Sequence, residues 1–330
     1  MPLTNDLRQS DRTRGRVDDA LITIDARQLM HDDTAERAAV VTQIRKACLE
    51  TGFFYLDRVF DQSSVVADLL WQMQRFFGLP DDDPCKQAVY NRHKPGTYGW
   101  MPMFGEPAYQ PGTVAHLESF DCGRESEPAK RLEGENVWPD LQGFRHNTLA
   151  YWAALTQLGN SVLAAISQAA GLPSQLLPRN CSSQELNTMR LLHYPGHKTP
   201  ANDGDVGIAA HTDFECMTLI LQTRPGLELT DSNGTWYDAP AHDGRIVVLL
   251  GDMLERWTNG FFKATGHRVR NTPWERYSIV MFVAVNSDIT ISPLPQFISA
   301  ANPAAYAGVG QREHIDNELR QAESNRAAPR

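Results

Sequence analysis

The chain has 330 residues, 42% of them hydrophobic and 22% charged, with a formal net charge of -9. This is the make-up of an ordinary globular protein, large enough to bury a core without covalent staples. Its acidic balance argues against a phosphate-backbone partner, which needs a basic stripe to displace counterions; the nearest candidate, Arg8 to Arg16, is broken by Asp11. The five cysteines (Cys48, Cys85, Cys122, Cys181, Cys216) are dispersed, with no pair at CxxC spacing, and read as reduced thiols rather than a disulfide framework or zinc knuckle. The start of the chain lacks the apolar core of a signal peptide, and no stretch approaches the roughly 18 uninterrupted apolar residues of a membrane span. A soluble, cytoplasmic protein is expected, with no nucleic-acid or membrane partner. No feature specifies an oligomeric state.

Residues 1–18 read as a disordered polar leader. A short strand is predicted at Leu21-Ile22-Thr23-Ile24. Residues 35–51 carry Ala39, Val40, Ile44, Ala47 and Cys48 at helical spacing, with Gly52 at the C-terminal cap position. Phe53-Phe54-Tyr55-Leu56 follows as a compact strand, and a second helix runs from about Ser63 to Phe77, ahead of Gly78 and Pro80. Residues 81–140, dominated by Pro, Gly and polar side chains, read as long loops over the core. A third helix spans about 145–170, from Arg145 through Tyr151, Leu155, Leu158 and Leu163, and stops at Gly171-Leu172-Pro173.

From 187 to 292 the pattern becomes short β-type runs: Thr188–Tyr194, Gly207–His211, Met217–Gln222, Leu227–Thr230, Ile246–Leu250, His267–Arg270 and Tyr277–Val285. Asn259-Gly260, between Trp257 and Phe261, is a two-residue hairpin signal. Such runs suggest a sandwich or barrel. A helical first half and a β second half are compatible with two domains. The isolated strands of the first half need a sheet to join, which favours one domain over residues 19–310. Within it, 19–180 is the helical part and 181–295 the β core; 311–330 is a polar helix running into a tail.

Two imidazoles and one carboxylate around a divalent metal, with positions left open, are the signature of non-haem iron oxygenases. The local piece is His-x-Asp, whose members share a face on a strand. The tripeptide occurs at His31-Asp32-Asp33, His211-Thr212-Asp213 and His314-Ile315-Asp316. The first and last copies sit in a polar turn and a polar terminal helix and read as solvated surface. Only the copy at 211 has apolar strand on both sides, Gly207-Ile208-Ala209-Ala210 and Met217-Thr218-Leu219-Ile220-Leu221. The best third ligand is His267, which opens a short run after Gly266; His116, His193, His197 and His242 lack a complementary pattern.

Nine residues on, Arg276-Tyr277-Ser278 opens the apolar strand Ile279-Val280-Met281-Phe282-Val283. Arg276 and Ser278 share one face. If that face is the inner one, the buried guanidinium needs an anion: either a structural Asp or Glu, or a carboxylate co-substrate that its forked geometry suits.

Taken in order, His211-Thr-Asp213, Gly226-Leu-Glu-Leu, Gly251-Asp252, Thr258-Asn-Gly260, His267-Arg-Val269 and Arg276-Tyr-Ser278 resemble the isopenicillin N synthase-like group of iron(II)/2-oxoglutarate dioxygenases. Thr51-Gly-Phe-Phe-Tyr55 and His116-Leu-Glu-Ser-Phe-Asp121 are similar to upstream segments of that family, so the likeness covers roughly residues 20–292. The resemblance implies a mainly β fold with flanking helices around a double-stranded β-helix, or jelly-roll, core. It implies iron(II) held by His211, Asp213 and His267. It also implies 2-oxoglutarate bound through its distal carboxylate by Arg276 and Ser278, with Tyr194 hydrogen-bonding the same co-substrate. Dioxygen then takes the last coordination position. The implied activity oxidises an unactivated C–H bond of a small molecule by hydroxylation, desaturation or cyclisation, releasing succinate and carbon dioxide. The sequence departs from plant members, which usually carry Asn where this chain has Leu192.

For the substrate, alternation along 188–194 places Arg190 and Leu192 on the face of Tyr194. Arg190 is then either a ligand for a substrate carboxylate or the partner of a nearby acid at the barrel rim. Phe104, in the aromatic- and thioether-rich segment 98–104, and Phe214, beside the metal pair, are candidate pocket walls; Glu118 reads as structural. The substrate expected is a small natural-product intermediate or amino-acid derivative. Three competing readings are a synthase-like iron oxidase that does not use 2-oxoglutarate, a non-catalytic binding protein on the same fold, and a zinc hydrolase. The last leaves Arg276 and Ser278 without a purpose.

Overall fold

The structure, a computed structural model, describes residues 21–30, 34–60, 63–91, 98–125, 134–196, 205–242 and 244–325. The polar leader, the His31-Asp32-Asp33 copy, His197 and the last five residues lie outside the described residues.

Two sheets face each other. The larger has eight strands in the order Thr23–Asp25, Phe53–Asp57, Ile246–Leu250, Met217–Gln222, Arg276–Val283, Thr188–Tyr194, Glu118–Gly123 and Gly99–Met101. The smaller has four: Trp236–Asp238, Leu227–Thr230, His267–Val269 and Ile208–His211. Strands from the helical first half therefore complete the sheet built by the second. This arrangement of facing sheets with outer helices is the jelly-roll architecture the resemblance implies.

The central strands of the larger sheet carry apolar residues on both faces because each face meets a different layer. Met189, Leu191, Leu219, Leu221, Val248, Ile279 and Met281 point to a core shared with the helices Thr34–Glu50, Val65–Phe77 and Phe144–Ala169. The alternate residues Leu192, Tyr194, Ile220, Val247, Leu249 and Val280 point to the smaller sheet, where they meet Ile208, Leu227, Leu229 and Val269. The 144–169 helix is long and apolar enough by composition to cross a membrane. Its side chains Tyr151, Leu155, Val162, Leu163 and Ile166 are nonetheless part of the core.

Most of the predicted elements appear within a residue or two of their expected ends. Three differ. Residues 81–140 are not only loops: Glu118–Gly123 is a wholly buried strand paired with 188–194. Its polarity hid it, because Glu118 accepts from Lys86 Nζ at 2.9 Å and Trp100 Nε1 at 2.8 Å and meets His193 Nδ1 at 2.8 Å. Asn259-Gly260 is not a hairpin. Both residues have positive φ, as such a turn demands, but they follow the helix Asp252–Trp257. The Asn259 side chain then ties the chain to the 297–305 segment, accepting from Ala305 N at 2.8 Å and donating to Pro303 O at 3.1 Å. Finally, His314 is not solvated surface. It is buried and bonds Asp252 Oδ2 at 2.8 Å, pinning the terminal helix Gln311–Ser324 to the body.

The 252–257 helix docks its start on the turn after the 208–211 strand. Gly251, Asp252 and Met253 N–H groups donate to the carbonyls of Cys216, Asp213 and Glu215 at 3.0, 2.9 and 3.1 Å. A Cβ on Gly251 would stand 2.2 Å from the Glu215 carbonyl oxygen, so only glycine permits this approach. Gly251→Ala is expected to destabilise the fold by about 1–3 kcal/mol, the usual cost of overpacking against backbone. A urea midpoint equal to that of the unaltered protein would contradict the docking described here.

Candidate metal centre

The smaller sheet brings the two histidines together. Antiparallel pairing of 208–211 with 267–269 sets His267 directly opposite His211, and their ring centroids lie 4.2 Å apart. The strand ends at His211, so Asp213 reaches the same point from the turn beyond it rather than from a shared strand face. Its Oδ1 lies 3.7 Å from His211 Nε2 and 3.5 Å from His267 Nε2. The potential ligand atoms of these three residues all lie within 4.8 Å of one another, the one such group of three or more among the described residues.

Backbone contacts fix which nitrogens face inward. His211 Nδ1 bonds Ala209 O at 2.8 Å and His267 Nδ1 bonds Thr265 O at 3.1 Å. A carbonyl only accepts, so Nδ1 carries the proton in each neutral ring and Nε2 presents a lone pair. Burial, with His267 adding to it, pushes the His211 pKa down to about 3, which keeps this ring neutral and able to ligate. Asp213 Oδ2 accepts from Thr218 Oγ1 at 2.5 Å, which leaves Oδ1 aimed at the imidazoles. Tyr109 stacks on His211 with centroids 4.2 Å apart and planes 7° apart. Three electron-pair donors converging without a proton between them repel one another, and a divalent cation removes that repulsion. The donor set fits iron(II).

The centre opens into a cavity of about 240 Å³ between the sheets. Cross-strand register grades its floor. Moving along 276–283 against 188–194, the inward pairs are Arg276 with Tyr194, Ser278 with Leu192, Val280 with Arg190, and Phe282 with Thr188. Arg276 is 1% exposed. Its Nη2 donates to Ser278 Oγ at 2.8 Å and Gln222 Oε1 at 3.1 Å, and its guanidinium lies 4.4 Å over the Tyr194 ring. Nε and Nη1 are buried without a partner. No described carboxylate pairs with this side chain, and burial lowers its pKa. A buried guanidinium in that condition is destabilising by itself and fits an incoming carboxylate. Gly226, at φ 153°, leaves the space: a Cβ there would come 3.2 Å from Arg276 Cδ and 3.3 Å from Nε.

Away from Arg276 the cavity is lined by Tyr98, Asp121, Thr188 and Arg190, and Tyr109 spans from His211 towards this region. Arg190 lies on the face expected, but its guanidinium is paired: Nε and Nη2 reach Asp121 Oδ1 and Oδ2 at 2.9 Å each, and Nη1 reaches Glu106 Oε1 at 2.6 Å. Of the two readings offered by the sequence, the structure therefore displays the acid-paired one. Leu192 and Phe214 line the cavity. Phe104 does not. It is 49% exposed, with φ 63°, and sets its ring edge-on to His116 at 4.9 Å. The positive φ turns the chain so that this ring faces outward.

Sequence reasoning missed several residues. Thr218 and Gln222 share the inward face of the 217–222 strand, so its alternation was a usable signal. Ile315 and Leu319, one turn apart on the terminal helix, close the cavity from outside. Tyr109 and Glu106 come from the region read as loops and gave no local signal; Asp121 ends the family-like segment 116–121 but was given no role.

The comparisons with known proteins agree with this geometry. Residues 186–285 match the 2OG-Fe(II) oxygenase superfamily, and residues 21–141 match the family described as non-haem dioxygenase in morphine synthesis N-terminal. The chain is 33% identical over 253 residues to the 2-oxoglutarate-dependent dioxygenase caaD of Aspergillus niger, covering 74% of this chain and 77% of that one. It is 30% identical over 277 residues to homoarginine-6-hydroxylase 2-ODD-C23 of Glycine max, covering 80% and 82%. Among solved structures, a full-length Neurospora crassa protein crystallised in complex with alpha-KG superposes with a TM-score of 0.79 at 27% identity, covering 91% of this chain and 96% of that one. The chain therefore belongs to the iron(II)/2-oxoglutarate-dependent dioxygenases.

Proposed function

We propose that His211, Asp213 and His267 hold iron(II), and that Arg276 and Ser278 bind the distal carboxylate of 2-oxoglutarate beside it. The protein then oxidises an unactivated C–H bond of a small molecule, releasing succinate and carbon dioxide. The observation that carries this reading is the buried Arg276, with two unpartnered nitrogens, in the same cavity as three converging metal-ligand atoms. Iron(II) with 2-oxoglutarate supplies the oxidative decarboxylation that activates dioxygen.

The chain's own residues set the geometry for that chemistry. Thr218 holds the Asp213 carboxylate with one oxygen inward, and the Ala209 and Thr265 carbonyls hold both imidazoles in the ligating tautomer. Gln222 and Ser278 orient the Arg276 fork through Nη2, which leaves Nε and Nη1 for a carboxylate. Tyr194, whose phenol burial pushes up to about 12, stays protonated under the guanidinium and can donate to the co-substrate. Leu192, Ile220, Val280 and Phe282 keep the floor apolar and exclude water from the oxidant. A zinc hydrolase would share the metal ligands but would leave the Arg276 fork unused.

Metal-free protein given iron(II) and then 2-oxoglutarate under anaerobic conditions is expected to develop a visible metal-to-ligand charge-transfer band. The band should be absent with zinc and absent in Asp213→Ala. In Arg276→Ala, half-saturation should need about 10–100-fold more 2-oxoglutarate, the loss of hydrogen bonds to a charged group worth roughly 1.5–3 kcal/mol. Bound iron with no band would remove 2-oxoglutarate from the proposal. A second expectation concerns the support of the metal. Thr218→Val, which keeps the side-chain shape, should lower iron affinity about 10–100-fold while leaving the thermal midpoint of the metal-free protein within a few degrees. Unchanged iron affinity would show that Thr218 does not orient Asp213.

A further inference from the structure

The charges lining the cavity fall into two sets, bridged by Tyr109, which stacks on His211 and donates to Glu106. Near the smaller sheet are the three metal-ligand candidates and Arg276, which the proposed function assigns to iron(II) and 2-oxoglutarate. The remaining inward charges are Glu215, two residues beyond Asp213, and the group around Arg190. Arg190 is four residues from Tyr194, the cross-strand partner of Arg276, and four residues of antiparallel strand span about 14 Å. A five-carbon co-substrate anchored at Arg276 with its keto end on the metal does not reach that far. On the proposed function, Arg190 and its neighbours are left to the substrate.

This end carries an excess of acid. One guanidinium is matched by two carboxylates, Asp121 and Glu106. Burial alone would lower the Arg190 pKa, but the two acids outweigh it and raise it. The arginine is therefore a fixed cation whose charge is already more than neutralised. Glu106 is buried with its Oε2 unpartnered, while Asp121, which lines the cavity, accepts one bond from Arg190 at each oxygen and keeps further lone pairs. Tyr109 donates to the other Glu106 oxygen at 3.2 Å. Among the described residues, no cation other than Arg190 and Arg276 lines the cavity, apart from the two histidines of the metal centre. A substrate carboxylate placed here would meet a net negative cluster with no free cation to receive it, an arrangement that costs several kcal/mol.

We propose that the substrate is a neutral or positively charged molecule that donates hydrogen bonds to Asp121, and that the Asp121–Arg190–Glu106 cluster rejects carboxylate substrates. Two guanidinium N–H groups of Arg190 are not used by the acids and are available to a carbonyl or hydroxyl oxygen of the same molecule. Beside this polar corner, Phe282 on the neighbouring strand and Ile315 and Leu319 of the terminal helix offer an apolar wall. The ligand therefore has an N–H- or O–H-bearing end and a hydrocarbon body whose C–H bonds face the metal. The inference rests on the proposed function, because that reading removes Arg276 from the set of cations open to substrate.

The test is a probe panel on the protein loaded with zinc and saturating 2-oxoglutarate, read by saturation-transfer NMR. The panel consists of size-matched triplets, such as phenethylamine, 2-phenylacetamide and phenylacetate, over several hydrocarbon bodies. Amines and amides are expected to bind at least about tenfold more tightly than the matching carboxylates. In the Glu106→Gln/Asp121→Asn double variant, Arg190 is unmasked and the order should reverse. If a thermal melt shows that the double variant does not fold, Asp121→Asn alone should bring the classes to parity. Carboxylates binding as well as amines in the unaltered protein overturn the proposal, as does no binding from any class or an unchanged order in the folded variant. The signal of 2-oxoglutarate in the same tube reports on the proposed function independently, so failure of one is not mistaken for failure of the other.

Discussion

The pairing of the 208–211 and 267–269 strands sets two imidazoles directly opposite each other, and much of the site is arranged around that register. Shifting a strand by one residue would turn its histidine to the opposite face. Several contacts guard against the slip. Leu227–Thr230 pairs with 267–269 from the other side, setting His267 opposite Leu229. Gly207 lies so close to Val269 that a Cβ there would come 2.6 Å from its Cγ1. The carboxylate is delivered by a tighter device: a helix start whose N–H groups hold the carbonyls of the Asp213 turn. The centre is thus built from backbone geometry first, and the side chains follow.

The larger sheet supplies the second ingredient, a graded floor. Because the 276–283 and 188–194 strands run antiparallel in strict register, their inward residues pass from a buried cation through a hydroxyl and an apolar pair to a second, acid-matched arginine. The two arginines illustrate how context decides a charge's role. Arg276 has a Gln and a Ser for company and keeps two nitrogens unpartnered, so it is prepared for an anion. Arg190 has two carboxylates and is not. Both sit at inward positions of a strand, and nothing in their immediate sequence distinguishes them.

That contrast marks the limit of what the sequence could say. The strands between 188 and 283 were legible because they carry apolar residues on both faces, so hydrophobic runs are bounded by turn residues. The converging group His211, Asp213 and His267 was legible because apolar strand flanks singled out one of three His-x-Asp copies. The 118–123 strand was not, since its acids are satisfied by partners far off in sequence: Lys86, His193 and Arg190. The same long-range pairing turned His314 from an expected solvated residue into a buried anchor on Asp252. The terminal helix did carry a readable pattern. Gln311, His314, Ile315 and Ala322 lie on one helical face, but its overall polarity masked the contribution of Ile315 and Leu319 to the cavity. Phe104 shows the converse error, in which aromatic richness was taken for a pocket wall although the backbone turns the ring outward.

The central claim is that Arg276 reads the distal carboxylate of a metal-chelating oxoacid. It is tested most directly by comparing 2-oxoglutarate with 2-oxobutyrate, which keeps the chelating end and lacks the distal carboxylate. Calorimetric titration of each into manganese-loaded protein and into manganese-loaded Arg276→Met gives a cycle of four affinities. The account predicts that the substitution weakens 2-oxoglutarate by about 10–100-fold and leaves 2-oxobutyrate within a few-fold, so the coupling is assigned to one carboxylate. Equal weakening of both acids, or of neither, would contradict it and leave the buried guanidinium without the role proposed here.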